Sequence, residues 1–342
     1  MLTKKGIVIL TIVIIVANIF IGIAVIENIN EDNNQEYLTI DPTLPPGDLV
    51  FEVSPLSLDY IDYIIPLGQL GPVGHTLPTN HIYFVHGGIS GQPVYAPARG
   101  KILEIQSYGT DDDEIRLGVS NSKSYYLTHL NLSDTFKVGD WVETGTLLGY
   151  TTISALDLGV IDTEITIYFI NPSRYPTIET IHCGPPIHYF VEPLRTQLYD
   201  KVHTSGDKDG IISYDIDGTL SGNWFLKYED ESELEELNAT EYGATHLAFV
   251  RDPIYLNNKW VVSIGGVIFD PGVYLFQNES IAPPNVTLST GKCTYKLYDR
   301  WNTRVGLLIV QLLDNRTIKI EAFHDTINDT RDFTSNYFIY ER

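Results

Sequence analysis

The chain has 342 residues and carries 22 Lys and Arg against 44 Asp and Glu, a formal net charge of −22. That balance excludes a general nucleic-acid binder, whose affinity comes from clustered basic side chains, while 43 % apolar and 11 % aromatic residues supply cores for about two domains. Cys183 and Cys293 are too few for a disulfide framework or a four-cysteine zinc site, which leaves one bridge between them or two free thiols.

After Lys4 and Lys5, the segment from Gly6 to Ile26 is apolar apart from Thr11 and Asn18. At ~1.5 Å per residue it spans roughly 30 Å, the thickness of a bilayer core. This predicts a transmembrane signal anchor over residues 1–27, with the lysines inside and the acidic remainder in the extracytoplasmic space as a single-pass membrane protein. The alternative is a cleavable signal peptide, because Gly22-Ile23-Ala24 spaces small residues suitably. Residues 28–47 are polar and acidic and end in Pro45-Pro46, the composition of a tether. Six Asn-X-Ser/Thr sequons, at Asn131, Asn238, Asn278, Asn285, Asn315 and Asn328, suit an exported surface.

A first domain is expected over residues 48–203. Strand signals fall at His81–Val85, Ile102–Ile105, Ile115–Val119, Tyr125–Thr128 and Ile165–Ile170, separated by Gly, Pro, Asn and Asp clusters. The only helical candidate is a short one from Val191 to Val202. Residues 204–210 are polar and glycine-rich and form the expected linker. Beyond it, 211–342 hold strand signals at Gly222–Leu226, His246–Val250, Trp260–Ile264, Gly266–Phe269, Cys293–Tyr298, Val305–Leu312, Thr317–Phe323 and Tyr337–Tyr340. This count predicts an antiparallel β-barrel or sandwich, and its opening Gly222-Asn223-Trp224 loosely resembles lipocalin-like barrels. The fold class is therefore mainly β: a transmembrane helix, an antiparallel β domain, and a second antiparallel barrel or sandwich.

The most informative pattern lies in the first domain. It runs Gly74-His75-Thr76-Leu77-Pro78-Thr79-Asn80-His81, then Gly91-Gln92-Pro93-Val94-Tyr95-Ala96-Pro97-Ala98-Arg99-Gly100. Tyr126-Leu127-Thr128-His129-Leu130 and the hairpin Val138-Gly139-Asp140-Trp141-Val142-Glu143-Thr144-Gly145-Thr146-Leu147-Leu148-Gly149 follow. In order and spacing these segments resemble the lysostaphin-type (LytM-like) zinc metallopeptidases, which cut peptide cross-bridges of cell walls, over about a third of the chain. The resemblance implies His75 as first zinc ligand and His129 as the assisting catalytic histidine. The second ligand falls on Asn80 or His81, of which the imidazole is the better donor. The family's late His-x-His is absent. After the hairpin stand Asp162 and Glu164, two carboxylates at i, i+2 that share a face if that stretch is a strand. His75, His81 and Asp162 or Glu164 would make a two-histidine, one-carboxylate set, with one coordination position left for water.

Two functions follow. One is a membrane-anchored, extracytoplasmic zinc metalloendopeptidase acting on cell-envelope peptides. The other is a non-catalytic module that binds envelope peptide or glycan on the same scaffold. A biotinyl or lipoyl carrier shares the Ala-Pro and Val-Gly turns but needs a lysine on an exposed tight turn, and Lys123 is the only one nearby. In the second domain, Asp215-Ile216-Asp217-Gly218-Thr219 imitates a phosphatase nucleophile motif without the helices that fold requires. Asp207-Lys208-Asp209-Gly210 imitates half a calcium loop and lacks the closing glutamate.

Overall fold

The computed structural model describes residues 39–342 except 89, 176, 230–233, 236, 238, 240 and 277–279. The anchor expected over 1–27 and most of the tether over 28–47 lie outside the described residues. Among the described residues no helix is long and apolar enough to cross a membrane. The chain divides into two units. The first takes residues up to Pro66, His81–Thr166 and His182–His203; the second takes Leu67–Asn80, Ile167–Ile181 and Thr204–Arg342. One crossing falls between His203 and Thr204, and the segments Leu67–Asn80 and Ile167–Ile181 belong to the second unit.

The first unit is a nine-stranded antiparallel sheet. Its strands are β1 (Tyr63–Ile65), β2 (His81–Val85), β3 (Pro93–Tyr95), β4 (Gly100–Gly109), β5 (Asp112–Gly118), β6 (Lys123–Leu132), β7 (Trp141–Val142), β8 (Leu147–Thr151) and β9 (Ala155–Asp162). They lie in the order β1-β2-β9-β6-β5-β4-β7, with β8 joining β6 to β3. Strand alternation sends Ile82, Phe84, Ile115, Leu117, Leu127, Leu156 and Leu158 to one buried apolar face. The end of the expected tether is fixed to this unit, because Lys101 Nζ donates to Asp41 at 2.8 Å. The short helix Leu194–Tyr199 lies inside the expected 191–202 segment.

The strand expected at Ile165–Ile170 does not form. This stretch passes from one unit to the other, so its backbone groups find separate partners instead of a ladder. Ile167 N–H donates to the Ile181 carbonyl, and Ile170 N–H donates to the Asp215 carboxylate.

The second unit contains a closed antiparallel barrel, not a sandwich. Its strands are β10 (Gly222–Leu226), β11 (His246–Asp252), β12 (Lys259–Ile264), β13 (Gly272–Leu275), β14 (Cys293–Tyr298), β15 (Arg304–Asp314), β16 (Thr317–Phe323) and β17 (Phe338–Glu341). Each pairs with the next, and β17 returns to β10 through Phe225↔Glu341 and Leu226↔Tyr340. Trp224, Leu247, Phe249, Tyr295 and Tyr340 fill the interior. The outer faces of β11 and β12, with Ala248, Val250 and Val261, are covered by Leu70 and Leu77 from the 67–80 segment. The expected strand at Gly266–Phe269 is instead a turn: Gly266 has φ 140°, and Ile268 and Phe269 fold into the barrel core.

Trp224 Nε1 donates to the Leu220 carbonyl at 2.9 Å, and the Arg342 guanidinium lies 4.1 Å from the Trp224 ring centroid. Asp215 accepts the backbone N–H groups of Ile170 and Asn223, both at 2.9 Å, so the phosphatase-like motif serves as a structural cap. Asp207 accepts Asp209 N–H at 3.0 Å within its own turn. Both cysteines are buried free thiols.

Candidate functional site

The side chains opposite the apolar face of the first sheet form rows of polar groups. Register places Tyr83 and Thr128 on either side of Asp157, with Glu114 beyond Thr128. The next row is His81, Gly159, Tyr126 and Arg116. All of these are buried. Gly159 is required there, because a Cβ on it would stand 2.1 Å from Tyr126 Cζ.

His129 enters this row by a different device. The β5–β6 register shifts between Asp113↔Leu130 and Glu114↔Thr128, so His129 is the extra residue of a bulge, with φ 70°. Such a left-handed backbone is uncommon outside glycine, with histidine among the residues that tolerate it best, and bulges re-aim side chains. The imidazole is thereby held between two carboxylates. Its Nδ1 is 3.2 Å from Asp112 Oδ2 and its Nε2 3.7 Å from Asp157 Oδ2. Thr152 Oγ1 donates to Asp112 at 2.8 Å and steadies it. On the other side, His81 Nε2 is 3.4 Å from Asp157 Oδ2 and 2.9 Å from the Tyr83 hydroxyl. Glu114 accepts from Arg116 at 2.9 Å and from Thr128 at 3.0 Å.

Burial dominates the electrostatics. Asp157 is 4 % exposed, and its Oδ1 has no hydrogen-bond partner among the described residues. Desolvation pushes its carboxyl up to about 7; the His129 charge opposes this, and Glu114 and Asp112 add to it. Burial pulls His129 down, but Asp157, then Asp112 and Glu114, outweigh that and its pKa is raised overall. Asp112 is lowered overall, because its hydrogen bond to His129 and the charge of that ring outweigh its own burial.

The residues expected to bind zinc fall in both units, and within the first unit His81 stands apart from Asp162 and Glu164. His75 and Asn80 belong to the second unit, where Asn80 Nδ2 donates to Thr180 at 3.3 Å. Asp162 and Glu164 pair with Lys123, at 3.8 and 2.7 Å, and Tyr189 OH donates to Asp162 at 2.8 Å. Parity explains the separation from His81: Gly159 stands opposite His81, and Asp162, three residues further along β9, points to the other side. Lys123 is buried in that ion pair, which removes it as an exposed carrier lysine. Within the first unit, His81 and His129 of the expected set meet, and they meet across Asp157.

Zinc requires three protein donors about 2.0–2.2 Å from a common centre. Here His81 Nε2 already contacts Tyr83 and Asp157, and His129 is tied to Asp112. Among the described residues no group of three or more His, Cys, Asp or Glu is placed to hold a metal ion. The described donors of the first unit, each already engaged, do not make a zinc set.

The motif order missed Asp157, Asp112, Tyr83 and Glu114. The signal that finds most of them is alternation: His81 and Tyr83, Glu114 and Arg116, Tyr126 and Thr128, and Asp157 and Gly159 are i, i+2 pairs within strands, a polar face in an otherwise apolar sheet.

No protein-family model matches the chain, and no curated protein matches it. Solved structures similar to it include a zinc containing peptidase from Vibrio cholerae, at 19 % identity over 33 % of this chain and 37 % of that one, TM-score 0.29. The catalytic domain of the antimicrobial peptidase lysostaphin from Staphylococcus simulans is similar at 24 % identity over 32 % of this chain and 87 % of that one, TM-score 0.25. The whole lysostaphin of that organism is similar at 17 % identity over 53 % and 70 %, TM-score 0.27. This chain spans about a third of the length of the Vibrio peptidase.

Proposed function

We propose that the protein is a membrane-anchored, extracytoplasmic surface protein whose first unit is a lysostaphin-type scaffold that binds envelope peptide or glycan without zinc hydrolysis. The motif order from Pro93 to Gly149 supports the scaffold, and the apolar 6–26 segment supports the anchor. The observation that carries the non-hydrolytic reading is Asp157, buried between His81 and His129, with each histidine already engaged by a further partner. A closed network of this kind ties four strands together, β2, β9, β6 and β5, and among the described residues it offers no three-donor set that would hold an activated water on zinc.

Purified full-length protein should contain far less than one zinc per chain by elemental mass spectrometry. It should leave cross-bridge peptides intact, and its binding to isolated envelope fragments should be unchanged by EDTA. One zinc per chain, lost on His81→Ala, together with EDTA-sensitive cleavage, would establish the hydrolase and refute this reading.

A further inference from the structure

We propose that Asn315 is an N-glycosylation site, and that the fold selects it over the other described sequons. Five of the six sequons lie between Asn238 and Asn328, in the sequence of the second unit. Four of the six asparagines are described, and all four are exposed, so exposure alone does not discriminate among them.

The chemistry does. In the transfer, asparagine Nδ2 attacks the anomeric carbon of a sugar carried on a lipid-linked phosphate donor. A carbon–nitrogen bond forms and the carbon–oxygen bond to phosphate breaks. The lipid phosphate leaves with the bonding electrons, and the amide nitrogen gives up one proton. The acceptor must therefore offer an uncommitted Nδ2, a free hydroxyl two residues on, and a backbone that can be drawn into a transferase cleft.

Three candidates fail one of these conditions. Asn328 Nδ2 already donates to Asp325 Oδ2 at 2.8 Å, and its backbone N–H donates to the same carboxylate at 2.9 Å. Asn131 sits inside β6 with its backbone paired to Tyr150 of β8. Asn285 ends a one-turn helix, and its sequon hydroxyl, on Thr287, is spent in a capping box with Thr290 and at 2.9 Å from Ser289. At Asn315 no described residue takes the Nδ2 or the Thr317 hydroxyl, and the acceptor's own backbone lies outside the strands. Asn315 occupies the exposed two-residue turn with Arg316 between β15 and β16, and Asp314↔Thr317 is the last pair before the tip. Behind the tip the Arg316 carbonyl accepts Arg342 N–H at 3.0 Å and Thr317 pairs with Glu341, so drawing in this sequon releases only the last rung of β16, whereas at Asn131 the acceptor itself lies inside the strand.

The proposal rests on the reading that this unit is exported. The test uses full-length protein recovered from its own cells, with surface-protease accessibility measured alongside glycopeptide mass spectrometry. The expected result is a surface-accessible chain with a sugar mass increment on Asn315 and bare Asn131, Asn285 and Asn328. Asn315→Gln and Thr317→Ala should each abolish the increment, and Thr317→Ser should restore it, with unchanged thermal unfolding. A surface-accessible chain with bare Asn315 would overturn the modification and leave export standing. A protease-protected chain would overturn both. Equal occupancy of Asn328 would overturn the selection by geometry.

Discussion

At Asp157 burial and charge act against each other, and the balance sets a pH dependence. The ordinary aspartate value is 3.8 and the folded value about 7, so the folded protein holds this proton more tightly than the unfolded chain. That contribution to stability is complete below pH 3.8 and is lost as pH rises to about 7. His129, also raised, acts in the same direction: its contribution is complete below 6.5 and is lost as pH rises through its folded value. The two titrate as a coupled pair. Asp112, lowered, contributes above 3.8 and loses that contribution as pH falls through its folded value. The thermal midpoint of the first unit should therefore fall between pH 5 and pH 8. Asp157→Asn, which keeps the shape and removes the titration, should flatten that fall. An unaltered slope in the variant would show that the −22 net charge, not this site, governs the trend.

Between β6 and β9 the close approach of Tyr126 to Gly159 has a measurable consequence. Gly159→Ala must displace a ring whose atoms stand about 2 Å from the new Cβ, so it should destabilise the first unit by about 1–3 kcal/mol. Tyr126→Ser in the same chain should recover part of that loss, a coupling that a double-mutant cycle in urea unfolding reads directly. The same strands show what was legible in the sequence. β2, β5 and β6 follow from alternation, and so do β10, β14 and β16, because one apolar face must be buried. The position of His129 was legible only as a histidine in a Tyr-x-x-His pattern. Its bulge depends on a left-handed backbone at a residue that rarely adopts one, and composition carries no mark of that. In the sequence Asp162 and Glu164 stand out over Asp157, because an i, i+2 carboxylate pair resembles a ligand motif. Strand register, which decides which carboxylate meets the histidines, is a long-range property. Barrel closure is another, since it depends on β10 meeting β17, more than a hundred residues away.

The chain passes between its two units five times, after Pro66, Asn80, Thr166, Ile181 and His203. A polar linker at 204–210 suggests that cutting there would yield two independent domains, but the membership of 67–80 argues otherwise. Leu70 and Leu77 cover Ala248, Val250 and Val261 on the outside of the barrel, and Thr76 Oγ1 donates to the Gly243 carbonyl at 2.8 Å. Asp215 also takes the N–H of Ile170, from the 167–181 segment. A fragment of residues 204–342 would keep the barrel ladder and lose both segments, which exposes an apolar strand face and leaves that carboxylate short of a donor. Exposed strand faces of this kind promote self-association. The fragment should therefore aggregate, or unfold at a lower urea concentration than the second unit does within the full chain. Adding a peptide of residues 67–80 should raise its midpoint, with the peptide bearing Leu70→Asp and Leu77→Asp as the inactive control. A monomeric 204–342 fragment as stable as the second unit of the full chain would show that the barrel is self-sufficient and that the two inserted segments only rest on it.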